Sequence, residues 1–498
     1  MAVQRSLKNP NLWIHKNLIN GNWVDAESKK SFPVQDPATD ELLGHVPESS
    51  TEDVNKAIAA AVGAMPQWRN LTGRERSQVL RRWYELVKEN ADDLAKLISW
   101  ENGKAQSDAA GEVIFAASFL EWFSEEAARV YGDVIPHSAR NFRVTVVKEP
   151  VGVCGLITPW NFPGAMIARK LGPALAAGCS AVIKPAGETP FTANALAWLA
   201  EKAGVPKGVI NIVHAVENTP LIGQIMCSST AIRKISFTGS TRVGRILMKQ
   251  SSDTIKKLSL ELGGNAPVIV FDDADLNIAV QGVIASKFKV TGQTCVCANR
   301  IFVHESVYDE FIRRLSVAVR AFKVGNATNS DVTHGPLINA TAASRVADIV
   351  EDAVNRGAKV IVGGKKIPSL GSAFYEPTIL TNISNDMRIV KEEIFGPVAA
   401  LQCFTSEEEV IELANDCEVG LASYVFTENL NRVARVSETL HSGMVAVNTG
   451  VISVASAPFG GVKQSGIGRE GSKYGMEDYL VTKTVVTGNI NVTHRASI

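Results

Sequence analysis

Neither sign of charge is in excess: among 498 residues, 51 Lys and Arg balance 51 Asp and Glu. A chain of zero formal charge carries no long-range field to gather polyanions, which excludes nucleic acid and anionic membrane as principal partners. Cysteine is sparse as well. The seven residues Cys154, Cys179, Cys227, Cys295, Cys297, Cys403 and Cys417 form an odd, scattered set, which excludes the dense disulfide framework of a small secreted domain and points to a reducing compartment. The stretch MAVQRSLKNPNLW has neither an apolar signal core nor a long Arg-rich, acid-free amphipathic run, so the cytoplasm is the expected location. The uncharged stretch VGVCGLITPWNFPGAMIA, residues 151–168, approaches spanning length but is broken by Pro159, Asn161 and Pro163. Each proline removes a backbone donor and disfavours helix before it, so a buried strand, a turn and a packed helix are predicted there, and no membrane. Repeats and low-complexity tracts are lacking too.

What is present is length enough for two or three domains and a regular alternation of short β-branched runs with helical segments. VGVCGLIT, SAVIKP, GVINIVHA, KISFTG and KLSLEL read as strands buried on both faces of a parallel sheet. The second intervening helix has Thr189 as N-cap, Pro190 at the first helical position and Gly204 after its end. This order predicts a doubly wound α/β sheet whose ligands lie at the carboxyl ends of the strands. A second α/β region after Asn265 contains APVIVF, RIFVHE and KVIVGG as strands and YDEFIRRLSVAVRAFK as a helix. Before the first region, Asn20-Gly21 suits a type I′ hairpin, and the Trp and Phe stripe of EVIFAASFLEWFSEEAARVYG reads as core packing. FRVTVVKEP and LVTKTVVTGNINV are strand-like, lie outside both runs and invite pairing with another chain.

The carboxyl ends hold the residues with chemical use. GSTRVG, Gly239 to Gly244, offers free N–H groups at a helix start, where a pyrophosphate can sit; lacking the full G-x-G-x-x-G spacing, it reads equally as a tight strand-to-helix connection. Lys184 ends the second strand, where a mononucleotide fold meets the adenosine ribose; a surface lysine is the plainer alternative. Glu261 ends the fifth in apolar surroundings that disfavour its ionised form, which raises its pKa and suits a general base. Asn161, between two prolines at the mouth of the first strand, offers an amide donor for an oxyanion. GQTCVCANR, Gly292 to Arg300, carries two cysteines that lie about 6.6 Å apart on one face if the chain is extended. A disulfide, a nucleophile with a neighbour and a metal pair all use such spacing; with no nearby His or further Cys to complete a tetrahedral set, no metal is expected.

Taken in order and over essentially the whole chain, TPWNFP, IKPAGETP, FTGSTRVG, LELGGNAP, GQTC, KEEIFGPV and PFGGVKQSGIGREG resemble the aldehyde dehydrogenase superfamily. Within it, GQTCVCANR, MIARK and GREGSKYG look like the succinate-semialdehyde branch. The resemblance implies a Rossmann-type cofactor domain from residues 1–134 and 151–263, a catalytic domain from 264–470, and a β-strand oligomerisation arm from 135–150 and 471–498, assembling dimers or tetramers. It implies Cys295 as nucleophile, Glu261 as general base and Asn161 as oxyanion donor. A thiolate adds to the aldehyde, a hydride leaves to a nicotinamide, and the thioester is hydrolysed.

By the same resemblance, Thr158, Pro159, Trp160, Lys184, Gly187, Gly239, Ser240, Gly244, Leu262, Glu393 and Phe395 line the cofactor. Gly187 stands where NAD-preferring members carry a glutamate, so a 2′-phosphate meets less repulsion, and NADP is expected at least as readily as NAD. Arg169, Ser453 and Lys289 match carboxylate-binding positions, Lys289 replacing an arginine and losing its fork geometry; for Arg169 a structural ion pair is the alternative. Cys297 is either half of a redox switch with Cys295 or a bystander thiol. The implied reaction is oxidation of succinate semialdehyde to succinate in 4-aminobutyrate breakdown. Glutarate semialdehyde, plain aldehydes and a catalytically silent binding protein remain as alternatives.

Overall fold

The computed structural model describes residues 7–490. Its first sheet is built from the alternating run. Strands Ile210–Ile212, Ala181–Lys184, Val153–Ile157, Ile232–Thr238 and Lys257–Glu261 lie side by side in that order and all parallel. The chain-order reversal falls between Val153–Ile157 and Ile232–Thr238, so a crevice opens beyond their carboxyl ends, where Thr158 to Asn161 and Gly239 to Ser240 follow. The hairpin Asn17–Ile19 and Asn22–Val24 closes one edge, turning through Asn20 and Gly21 at φ 52° and 69°. Gly466–Ile467, placed in the catalytic domain by sequence, instead pairs antiparallel with Lys257–Glu261 on the other edge.

Helices cover the sheet, so its strands are largely buried, including the polar side chains of Asn211, Lys234 and Ser236. Helix Pro190–Ala203 starts after Thr189 and ends at Gly204 with φ 106°, but the Thr189 hydroxyl makes no hydrogen bond. Its first donors are taken from outside: Phe191 and Thr192 N–H donate to the buried Glu101 carboxylate at 2.7 and 3.0 Å. The stripe of helix Gln106–Glu126 is core, with Phe119 and Phe123 buried alongside Trp83.

The second sheet runs Lys359–Val362, Thr378–Thr381, Val398–Phe404, Ala298–His304, Ala266–Val270, Ala422–Phe426, Met444–Val447, parallel except for its first pair. A third, antiparallel sheet joins Leu480–Thr487, Arg143–Pro150 and Asp133–Ile135. It begins two residues before the arm boundary expected at 135, and the end of the arm, residues 491–498, lies outside the described residues. Val134, Val481, Val485 and Val486 are exposed on it. Among the described residues no helix is long and apolar enough to cross a membrane.

Candidate active site

Cys295 is delivered by an irregular segment. A π-turn, Ile284–Phe288, leads into Lys289–Gly292, where Val290 and Thr291 both adopt left-handed backbone at φ 54° and 53°. A β-branched residue crowds its own carbonyl in that region, at a cost of about 1–2 kcal/mol each, so the surroundings must hold them. Val290 N–H donates to Asp108 Oδ2 at 2.9 Å and Thr291 Oγ1 to the Gly335 carbonyl at 3.1 Å. Gly292 is required next: φ is 74°, and a Cβ there would lie 2.2 Å from the Gly396 carbonyl oxygen. Cys295 emerges partly exposed on the floor of a cleft of about 460 Å³ between the two large sheets.

Asn161 shares that cleft and is itself 5% exposed. Its Nδ2 donates to the Gln293 carbonyl at 2.9 Å, two residues before the thiol. The Asn161 carboxamide is thereby coupled to the loop that carries Cys295.

Behind Cys295 lies a buried charge cluster. Glu261, 2% exposed at the end of its strand, has an Oε2 without a hydrogen-bond partner. Burial holds its carboxyl well above the usual range, and the neighbouring Glu470 adds to the effect, while Arg169, Lys170 and Arg469 oppose it. Glu470 pairs with Arg169 Nε at 2.6 Å and with Lys170. Two cations therefore share one carboxylate, and a positive charge is left over beside the thiol. Burial pushes the Cys295 thiol up to about 12, against the pull of Arg169 and with added repulsion from Glu393 and Glu261.

Of the residues assigned to a cofactor by sequence, Pro159, Trp160, Gly239, Ser240, Leu262, Glu393 and Phe395 line this cleft. Ser240 caps helix Thr241–Ser251, accepting from Val243 N–H, and the helix opens onto the cleft. Glu393 accepts from Gly264 N–H at 3.3 Å, and burial pushes its carboxyl up to about 7. Thr158, Lys184, Gly187 and Gly244 lie outside the lining. Lys184 is buried with its ammonium on the Pro185 carbonyl at 3.1 Å, and burial lowers it to about 8. A Cβ on Gly187 would meet Val216 Cγ2 at 2.3 Å, and one on Gly244 would meet Leu262 Cδ2 at 2.5 Å.

The residues assigned to a substrate carboxylate are less gathered. Arg169 is 1% exposed, lies 4.1 Å over the Phe459 ring, and holds Glu470 from a distant segment, not a partner on its own helix. Among the described residues its terminal nitrogens hold only the Met166 sulfur, at 3.2 Å. Ser453 is half-buried in the loop after Gly450, and Lys289 is exposed and does not line the cleft. Cys297 is buried and donates to the Lys287 carbonyl at 3.0 Å, and all seven cysteines are free thiols. Sequence reasoning missed Arg345, whose guanidinium holds the Glu393 and Ile394 carbonyls at 2.7 and 3.1 Å, and Glu470. Arg345 sits in an ordinary amphipathic helix and carries no signal; Glu470 lies inside the quoted GREGSKYG stretch, but its partners are about 300 residues away.

A thiol and a carboxamide in one cleft at the switch point of a nucleotide-type sheet, with a protonation-prone carboxyl near the thiol, suit covalent thiol chemistry beside a nucleotide. The chain belongs to the aldehyde dehydrogenase family, whose sequence profile matches residues 23–485. It is 52% identical over 484 residues to the glutarate-semialdehyde dehydrogenase of Pseudomonas aeruginosa, covering 97% of this chain and 100% of that one. To the NADP(+) succinate-semialdehyde dehydrogenase of Escherichia coli it is 51% identical, covering 97% and 99%. The crystal structure of succinate-semialdehyde dehydrogenase from Burkholderia pseudomallei superposes with a TM-score of 0.96 at 55% identity, covering 97% of this chain and 100% of that one.

Proposed function

We propose that the chain oxidises an aldehyde bearing a distal carboxylate, succinate semialdehyde first, to the dicarboxylate with NADP or NAD as oxidant. The observation that carries this is that Cys295 and Asn161 line one cleft, with the buried Glu261 carboxyl close enough to Cys295 to repel its thiolate. Family membership supports the reaction class, and the names of the relatives support the substrate and the cofactor.

A dinucleotide suits the residues present. The N-terminus of helix Thr241–Ser251 offers N–H groups to a pyrophosphate, the Lys184 ammonium stands at the ribose end with one carbonyl partner, and Trp160, Glu393 and Phe395 line the opposite end. The lack of a carboxylate at Gly187 supports NADP.

The Cys295 sulfur, deprotonated, adds to the aldehyde carbon. The alkoxide that forms accepts hydrogen bonds from Asn161 Nδ2 and the Cys295 N–H. When bound, the nicotinamide accepts the hydride leaving that carbon. The thioester left on Cys295 is hydrolysed by water that gives a proton to Glu261, releasing the acid. Arg169, paired with Glu470 through Nε, would offer its terminal nitrogens to the substrate carboxylate, with Ser453 and Lys289 as further candidates for it.

Glutarate semialdehyde is the second reading, favoured by Lys289 in place of an arginine and by the Pseudomonas relative. The free thiols support a cytoplasmic site, where the semialdehyde left by deamination of 4-aminobutyrate is the natural supply. The exposed valines of the third sheet support assembly into dimers or tetramers. Initial rates with both semialdehydes and with butanal, under each cofactor, test the proposal. Higher kcat/KM on butanal overturns the substrate, and equal inactivity of the chain and its Cys295→Ser variant favours a binding role.

A further inference from the structure

The Asn161 backbone is in direct contact with a buried ion pair. Lys104, in the turn between helices Ala91–Asn102 and Gln106–Glu126, pairs with Glu112 on the second of these, both side chains at 0% exposure. Lys104 Nζ donates to the Asn161 carbonyl at 2.7 Å and lies 4.1 Å over the Phe162 ring. Glu112 Oε1 accepts from Gly164 and Ala165 N–H at 2.8 and 3.2 Å. Those are the first donors of helix Ala165–Ala177, which has no side-chain cap of its own. Asn102 Nδ2 donates to the Trp160 carbonyl at 2.9 Å.

The backbone from Trp160 to Ala165 is thus tied from outside on both sides of Asn161. Two charges withdrawn from water do not repay their desolvation as stability, and an apolar pair of equal volume would fill the same space. What the ionic pair supplies and an apolar pair does not is direction: an ammonium aimed at one carbonyl and a carboxylate aimed at two N–H groups.

We infer that Lys104 and Glu112 are positioning residues for the oxyanion donor, fixing the Asn161 peptide so that its amide faces Cys295 while negative charge develops on the substrate oxygen. The inference rests on the role given to Asn161 above.

A kinetic cycle on the full chain with NADP and succinate semialdehyde tests it. Its corners are wild type, Lys104→Met/Glu112→Gln, Asn161→Ala and the triple variant. Loss of an oxyanion donor lowers kcat by roughly 100-fold or more, and misplacement of one by roughly 10- to 100-fold. The paired substitution is expected to lower kcat within the second range, to leave NADP affinity unchanged by fluorescence titration, and to cause no further loss once Asn161 is alanine. A multiplicative loss in both backgrounds, an equal fall in NADP affinity, or an unchanged kcat overturns the inference and leaves Asn161 its role. An Asn161→Ala enzyme with full kcat removes the oxyanion reading itself, and the inference with it. Should the paired variant fail to fold, Glu112→Gln alone, which keeps an acceptor for Gly164 N–H, carries the same comparison.

Discussion

Replacing Arg169 with methionine separates its two tasks. In the structure its Nε is committed to Glu470 while its terminal nitrogens hold only a thioether. Removing the guanidinium leaves Glu470 paired with Lys170, so no carboxylate is stranded. Two effects follow. The positive charge that opposed the upward shifts of Cys295 and Glu261 is lost, which slows turnover of every aldehyde. A substrate carboxylate also loses charge-assisted hydrogen bonds worth about 1.5–3 kcal/mol, or roughly 10- to 140-fold at tenfold per 1.4 kcal/mol. The ratio of kcat/KM for succinate semialdehyde to kcat/KM for butanal cancels the first effect and retains the second. Measured by reduced-cofactor absorbance at one pH, that ratio is expected to fall by roughly 10- to 140-fold in Arg169→Met. An equal fall for both aldehydes would refute the assignment and leave Arg169 as the partner of Glu470 alone.

Glu393→Gln bears on pH. The wild-type carboxyl titrates near 7 and repels a Cys295 thiolate only when ionised, so iodoacetamide alkylation of Cys295 should match wild type below about pH 6 and run roughly 3- to 10-fold faster above pH 8; a constant offset at every pH would refute the coupling. Gly187→Glu places a carboxylate near the adenosine ribose and drives a Cβ into Val216, so kcat/KM with NADP should fall at least roughly tenfold relative to NAD, checked by initial rates with each cofactor and refuted by an unchanged ratio.

The doubly wound sheet was legible because strands buried on both faces must be apolar throughout, and because Pro190 and Gly204 bracket a helix by local backbone chemistry alone. Glu261 and Asn161 stood out by position, each at or just past the end of a strand, whereas Cys295 was singled out as nucleophile by the family resemblance. What the sequence concealed is long-range. Thr189 looks like a cap, but the cap is Glu101, and the cap of helix Ala165–Ala177 is Glu112, both charged residues in helices whose own periodicity reads as packing. Gly466–Ile467 pairs with the edge of the first sheet as a two-residue strand, too short to carry a period. Lys289, matched by resemblance to an arginine position, is exposed, and nothing in a side chain's type says which way an irregular left-handed turn will face it.

In the proposed reaction the charge cluster near Cys295 would couple the attack to the hydrolysis. A thiolate at Cys295 and a carboxylate at Glu261 repel one another, so the pair titrates jointly and resists carrying both charges. While Glu261 stays protonated, the charge of Arg169 favours a thiolate at Cys295 against burial and the repulsion of Glu393. Once the sulfur is acylated it bears no charge, the repulsion vanishes, and the Glu261 proton is released more easily. In the proposed reaction the Glu261 carboxylate is thus favoured once a thioester exists to be hydrolysed.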